Sequence, residues 1–556
     1  MRLAAVPEGR TRARLRIGRL LLASEPPTRG ELGVAAALLA CLAAVVFGSN
    51  VTDGDLYIDD RWFISLHEHA SGYFSAVESI YESGSYGFRP LLAAQAAATY
   101  EVLGDGPTAN LVWALALAVT AAACFYALLR TLGMERLHGG AITSLALISP
   151  AADSTKLWAT GGLTNTAVAL YFAGATVTLR AFGATGRHAR LLHGAGLLLY
   201  LLSVLMYEVA AVAMLGSVLL YRCIVPWRRA VRRWLVDVGV IGTALAINAA
   251  LTDRASPALP DQLDHAQEVA SNALSLVLDG GVPGGPRGMV VSVFILSLVA
   301  AASALMWRGW LADAAIRRQV RRWLVAAALA ALGIAAAYLI MIPAEHDPLG
   351  PGYLNRSNLL AVFGITTFLY AVLMVGATLA LRFHDRWRAA SATLALAIAS
   401  VLGFEYIDQV GKDKTAWAAA ARVQRVEIDR LRATLPDPPA HSTVYSVGNR
   451  EEVGDGLPGL IWWDLYGAGR LIWDSSVRAI LIPRETTWSC ERRALRPSLG
   501  YQLSDRLYET DGTYGTSFIV DVERSRLSRI DGARECRRVT GTLGAGSSVK
   551  RESSDR

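Results

Sequence analysis

Charge is scarce in this sequence. Asp, Glu, Lys and Arg make up 18% of its 556 residues, and 53% are apolar, whereas a soluble protein carries about 25% charge. The shortage excludes an ordinary soluble domain of this length. Cysteine is scarce too, with five in the chain. Cys41, Cys124 and Cys223 fall in or beside apolar runs, which leaves Cys490 and Cys536 as a pair able to form a disulfide in an oxidising compartment. The glycine-rich stretch Gly280-Gly281-Val282-Pro283-Gly284-Gly285-Pro286 has no Lys-Ser/Thr after it, so it is a turn and not a phosphate loop. No internal repeat is visible, so the sequence gives no support to an inverted-repeat transporter. The first apolar run starts late and lacks a clean small-residue cleavage site, so no cleavable signal peptide is expected.

What the sequence has in quantity is uncharged apolar runs of about 16 to 25 residues, the length that spans about 30 Å of hydrocarbon as a helix. In lipid such runs must be helical, because backbone polar groups there have no water to bind. They lie near 32–48, 109–130, 134–150, 159–180, 191–207, 208–222, 235–252, 288–306, 323–343, 357–382 and 389–404. The expected class is therefore an all-α polytopic membrane protein with about eleven transmembrane helices. The third run is short, and the fifth and sixth are separated only by Tyr207-Glu208, so either region can be re-entrant.

Arginines cluster in the first 30 residues and then in alternate loops: Arg228, Arg229, Arg232 and Arg233, then Arg317, Arg318, Arg321 and Arg322, then Arg382, Arg386 and Arg388. The bias places the N-terminus in the cytoplasm and the C-terminal region outside, in a plasma membrane. It also accounts for the net charge of +7 without a nucleic-acid partner.

Composition divides the chain into a basic tail (1–30), a membrane domain (31–404) with a large polar first outside loop (49–108), an extracytoplasmic domain (405–545) and a disordered tail (546–556). Within the first loop, Pro90 to Val102 reads as a surface helix. In the C-terminal region, 413–435 reads as a helix, and Thr443–Val447, Ala479–Ile482 and Ser517–Val522 read as strands of a small α/β domain.

Five places can carry chemistry. Asp59-Asp60-Arg61-Trp62-Phe63 offers two adjacent acids, able to serve as a general base and as a ligand for a divalent cation; the plainer alternative is a solvated acidic turn. Arg89, in Tyr86-Gly87-Phe88-Arg89-Pro90-Leu91, can grip a lipid phosphate or simply snorkel to headgroups. Asp153 and Lys156 form a charged pair in a turn between two spans. Glu208 interrupts a long apolar stretch, where an acid is expensive unless it is useful or caps a turn. Gly352-Tyr353-Leu354-Asn355-Arg356-Ser357 opens a late span, where Tyr353 and Arg356 bind a substrate or anchor the interface.

The order of these motifs resembles the GT-C superfamily of polytopic glycosyltransferases, which use polyprenyl-phosphate sugars, and within it the O-mannosyltransferase-like branch. The resemblance covers about residues 32–382 and rests on Asp59-Asp60, Phe88-Arg89-Pro90-Leu91, Ser149 to Trp158, Tyr207-Glu208 (Tyr where the family has a basic residue) and, more loosely, Tyr353-Leu354-Asn355-Arg356. The branch's tetratricopeptide repeats are absent. The resemblance implies that Asp59 or Asp60, with Asp60 the nearer choice, is the general base on an acceptor hydroxyl. Arg356, with Arg89 or Lys156, would bind the donor phosphate. Asp153, Glu208 and Tyr353 would line the acceptor side, and Mg or Mn stays open as a cofactor. Partners would be the bilayer, a polyprenyl-phosphate-linked sugar and a glycan, lipid or protein acceptor of the cell envelope. Two other readings compete: a transporter or flippase of a lipid-linked saccharide, and a non-catalytic scaffold whose outside domain binds a partner.

Overall fold

The computed structural model describes residues 27–83, 89–251, 259–276, 313–342, 350, 352–450, 452–454, 456–483, 486–498 and 510–544. The expected span 288–306, the Gly280–Pro286 turn, Tyr86 to Phe88, most of the basic tail and the last residues lie outside that set. The chain forms two compact units. One comprises Met1–Thr52 and Leu111–Lys414; the other comprises Asp53–Asn110 and Thr415–Arg556. The polar first loop thus belongs with the C-terminal region, a grouping that a linear reading of composition does not express.

The first unit is helical. Among the described residues, six helices are long and apolar enough to cross a membrane: Arg29–Asp53, Pro107–Thr131, Gly186–Met206, Ala314–Leu339, Ala361–Ala380 and Trp387–Thr434. Arg29–Asp53 has a mean hydropathy of 2.3 over its most apolar stretch, with only 22% of that stretch buried. Leu38 and Val45 lie 66% and 82% exposed. Apolar surface on that scale suits lipid rather than water.

Other expected spans take different forms. Arg136–Ile148 has 13 residues, a rise of about 20 Å against the roughly 30 Å of a bilayer core. Asn165–Ala181 stops at 17 residues. The run 208–222 is broken into a short 3-10 turn, Glu208–Ala210, and the helices Ala211–Leu215 and Ser217–Arg222. Trp227–Leu251 is a 25-residue helix, but its first turns carry Arg228, Arg229, Arg232 and Arg233.

The second unit is built around a four-stranded sheet. Thr443–Val447 is central and pairs in parallel with Arg478–Ile482 on one side and Ser517–Asp521 on the other; Arg526–Ile530 adds antiparallel to Ser517–Asp521. Every residue of Thr443–Val447 and Ser517–Asp521 is buried, as expected of strands covered on both faces. The connection from Thr443–Val447 to Arg478–Ile482 carries the helix Trp462–Ile472, which gives a βαβ unit. One face packs Leu465 and Ala468 of that helix with Ile428, Leu431 and Leu435 from the end of Trp387–Thr434. The other face packs Ile480, Ile519 and Cys536. The strands foreseen in this region are present, and the helix foreseen at 413–435 is the end of Trp387–Thr434.

Cys490 and Cys536 are disulfide-bonded, tying the strand Thr487–Cys490 to the helix Ala533–Gly544 across 46 residues of chain. Closing a loop of that length stabilises by about 4 kcal/mol in the chain-entropy account. Replacing both cysteines by serine should lower the unfolding midpoint of the second unit markedly. Differential scanning calorimetry of the full-length protein, with and without reductant, checks this: reductant should move the wild type to the variant's midpoint and leave the variant unmoved.

Candidate functional site

In the second unit, the acid pair sits at the start of the helix Asp60–Glu68. The chain enters through Ile58, whose φ of +54° lies in the left-handed region. A β-branched residue is rarely found there, and such strain persists only where surrounding structure enforces it. Ile58 is fully buried, and Tyr57 beside it donates its hydroxyl to Pro458 O at 2.6 Å. The strained entry is therefore clamped on both flanks, since Asp60 Oδ2 accepts the Tyr57 N–H at 2.8 Å.

The two acids face different surroundings. Asp60 is wholly buried and serves its own turn. Asp59 keeps 8% exposure, and its Oδ1 accepts the indole N–H of Trp463 at 2.6 Å, which fixes the carboxylate's rotation. Next to them, Arg61 Nη1 donates to Asp464 Oδ2 at 2.7 Å and to Gln424 Oε1 at 3.1 Å. Asp464 comes from the helix Trp462–Ile472 and is wholly buried.

That helix can reach Arg61 because of Gly467, three residues on and on the same face. A Cβ at Gly467 would lie 2.6 Å from Trp62 N and Cα and 2.7 Å from Arg61 C, so only glycine allows this approach. Burial pushes the Asp464 carboxyl up to about 7; Arg61 opposes the shift, while Asp60 and then Asp59 add to it. Asp464 Oδ1 has no hydrogen-bond partner among the described residues. Asp464, paired with Arg61 and felt by Asp60 and Asp59, thus makes an acid-rich cluster. Sequence reading missed Asp464, since nothing local marks it. Arg89 precedes the helix Pro90–Leu103 in the same unit and is half-buried.

The first unit gathers a second group. Residues 150–157, expected as a turn exposed outside, are buried throughout as Pro150–Ala152 and Ser154–Leu157. The short helix Tyr353–Asn358 packs against them. Asn355 donates to Asp153 Oδ1 at 2.7 Å and to Pro150 O at 3.2 Å, and accepts from Ser154 N at 3.2 Å. Lys156 Nζ donates to Ala152 O at 2.9 Å. The Arg356 guanidinium lies over the Trp158 ring, 4.8 Å from its centroid. Burial, then the neighbouring Asp413 carboxyl, push Asp153 well above the usual carboxylate range. Burial brings Lys156 down to about 8, with Asp153 opposing.

The structure therefore brings Asp153, Lys156 and Arg356 together, with Tyr353 opening the same short helix. Glu208 is half-buried at the break after the helix Gly186–Met206. Asn355, within the Gly352–Ser357 motif, ties the two segments, and Asn358 adds a bond to Ala151 O at 3.0 Å. Asn355→Ala should cost about 1–3 kcal/mol for each buried group it leaves unpaired, enough to lower the midpoint of the detergent-solubilised protein in a thermal-shift assay. Asn355→Asp should lower it further, by adding charge beside Asp153.

A buried pair also went unnoticed in the sequence. Asp237, wholly buried in Trp227–Leu251, meets Arg233 at 2.7 Å and accepts the Tyr221 hydroxyl at 2.7 Å. Among the described residues, no three or more His, Cys, Asp or Glu side chains converge as a metal site. In the second unit, Asp464 pairs with Arg61, Asp59 accepts an indole N–H and Asp60 accepts a backbone N–H. No protein-family model matches the chain, and no curated protein matches it.

Proposed function

We propose that this chain is an integral membrane glycosyltransferase that moves a sugar from a polyprenyl-phosphate donor to an acceptor hydroxyl, with inversion, on the outer side of the plasma membrane. The observation that carries the reading is Asp59: an acid at the membrane-proximal start of the first loop, entered through a strained residue and oriented by an indole. Strain and oriented acids cluster at reactive sites.

The motif order leaves the base between Asp59 and Asp60. The complete burial of Asp60, against the 8% exposure of Asp59, favours Asp59 for the role. Its carboxylate takes the proton of the acceptor hydroxyl as the oxygen attacks the anomeric carbon. The bond from that carbon to the phosphate oxygen breaks, and polyprenyl phosphate leaves with the electron pair. Arg356, assisted by Lys156 or Arg89, balances the charge on the departing phosphate. Asp153 belongs to the acceptor side, with Glu208 and Tyr353. The polytopic topology, with the N-terminus cytoplasmic and the C-terminal region outside, is part of the same proposal. The arginine bias and the Cys490–Cys536 disulfide support it.

The test is sugar transfer in proteoliposomes from a labelled polyprenyl-phosphate donor to a panel of hydroxyl acceptors, with and without EDTA. Label in an acceptor, with inverted configuration, supports the proposal. The transporter reading draws on one observation, the buried Arg233–Asp237 pair with Tyr221 in helices of the first unit. It predicts that label crosses the bilayer still attached to its lipid.

A further inference from the structure

The first unit contains a half-open cavity of about 140 Å³ beside the helices Pro107–Thr131, Ala314–Leu339 and Ala361–Ala380. Its lining is almost wholly apolar. Phe125, Phe172 and Phe363 form one wall, each pair of rings with centroids 4.9 Å apart. An enclosed apolar space of this size stays dry and takes benzene-sized guests; a half-open one has access for part of a longer apolar chain.

Two glycines of this region differ in a telling way. A Cβ on Gly364 would meet Ile334 at 2.7 Å, so that glycine is needed for helix packing. A Cβ on Gly333 would meet nothing within 4 Å. Gly333 therefore leaves space that neighbouring side chains do not use, in a helix where almost any other residue would be favoured.

One charged residue lines the cavity. Arg322 donates to Gly133 O at 2.8 Å and faces Glu135 at 3.6 Å. On the same helix Arg317, Arg318 and Arg321 are exposed and form no ion pair among the described residues. A half-open apolar cavity thus lies beside a helix whose first turns carry four arginines, one of them in its lining. In a helix crossing a bilayer, that combination matches one ligand chemistry: an acyl chain attached to an anionic headgroup.

We infer that this cavity binds a segment of one acyl chain of an anionic phospholipid, with the headgroup phosphate held by the arginines at the start of Ala314–Leu339. The lipid fills a gap among three helices and stabilises their packing. The inference rests on the membrane character of these helices and not on sugar transfer.

The test titrates detergent-purified full-length protein with phosphatidylglycerol or phosphatidylcholine in mixed micelles, reading the thermal midpoint, with native mass spectrometry counting retained lipid. Wild type should retain one phosphatidylglycerol and gain several degrees from it, and gain little from phosphatidylcholine. Gly333→Leu places its Cβ in open space and its side chain in the slot, and should raise the concentration for half-effect by about tenfold or more. Arg318→Gln with Arg321→Gln should keep the response to lipid but lose the preference for the anionic headgroup. Identical titrations for wild type and Gly333→Leu would overturn the inference, as would equal responses of the wild type to both lipids. Recovery of a polyprenyl phosphate in place of phosphatidylglycerol would also overturn it and assign the slot to the donor.

Discussion

Asp59→Asn should reduce sugar transfer by about 10²–10⁴-fold, the range that general-base catalysis contributes, while leaving the protein folded. The amide has the carboxylate's shape, and its oxygen still accepts the Trp463 indole N–H that Asp59 Oδ1 accepts now. What it loses is the capacity to take a proton. The effect should fall on kcat, with KM for donor little changed, because the base acts on the acceptor in the transition state. Asp60→Asn should behave otherwise. Asp60 is inaccessible and holds the Tyr57 N–H, an interaction an amide oxygen also makes, so transfer should fall far less. Initial rates for both variants, alongside their thermal midpoints, check this. Equal losses in the two would mean that the pair acts as a unit and that burial does not choose between them.

The second large effect concerns stability. Arg61→Ala should destabilise the second unit by about 3–5 kcal/mol, because it leaves a buried carboxylate without its partner. Arg61 and Asp464 have side chains only 9% and 0% exposed, so solvent cannot take the place of the guanidinium. Arg61→Lys should recover part of the loss, since a single nitrogen, Nη1, makes both the Asp464 and the Gln424 hydrogen bonds and an ammonium carries three donors.

Acidity gives a distinct signature. Asp464 ionises near 4 when unfolded and near 7 when folded, so between those values the folded state holds a proton that the unfolded state has released. Its contribution to stability is therefore fully present below about pH 4 and is lost as pH rises through about 7. Asp464→Asn should flatten that part of the profile. Denaturation midpoints across pH 4 to 8 measure both variants. A wild-type profile that rises through this window would contradict the assignment.

The sequence made some of this legible. The strands announce themselves because buried runs such as Thr443–Val447 and Ser517–Asp521 are short, β-branched or aromatic, and bounded by turn residues. Cys490 and Cys536 stood out because the other three cysteines lie in apolar runs. Asp59 and Asp60 were visible as adjacent acids in a long polar loop.

Other features were hidden for physical reasons. Asp464 matters through Arg61, 403 residues away in sequence, and only because Gly467 lets two backbones meet. Asp237 reads as one more charge beside a cluster of arginines until the helix places it one turn from Arg233. Apolarity alone also misjudges length. Arg136–Ile148 is apolar enough to suggest a span, yet the stop after Ile148 turns the chain into short buried pieces around Asn355. That change converts an expected outside turn into packed interior, and Asp153 and Lys156 with it.

The most direct test of the central claim is to locate the donor. A cryo-electron microscopy map of the protein with a non-transferable polyprenyl-phosphonate sugar should place the anomeric carbon facing Asp59, with space between them for an acceptor hydroxyl. Density for the sugar away from Asp59, with the first loop unchanged by its binding, would contradict the assignment of Asp59 as the base.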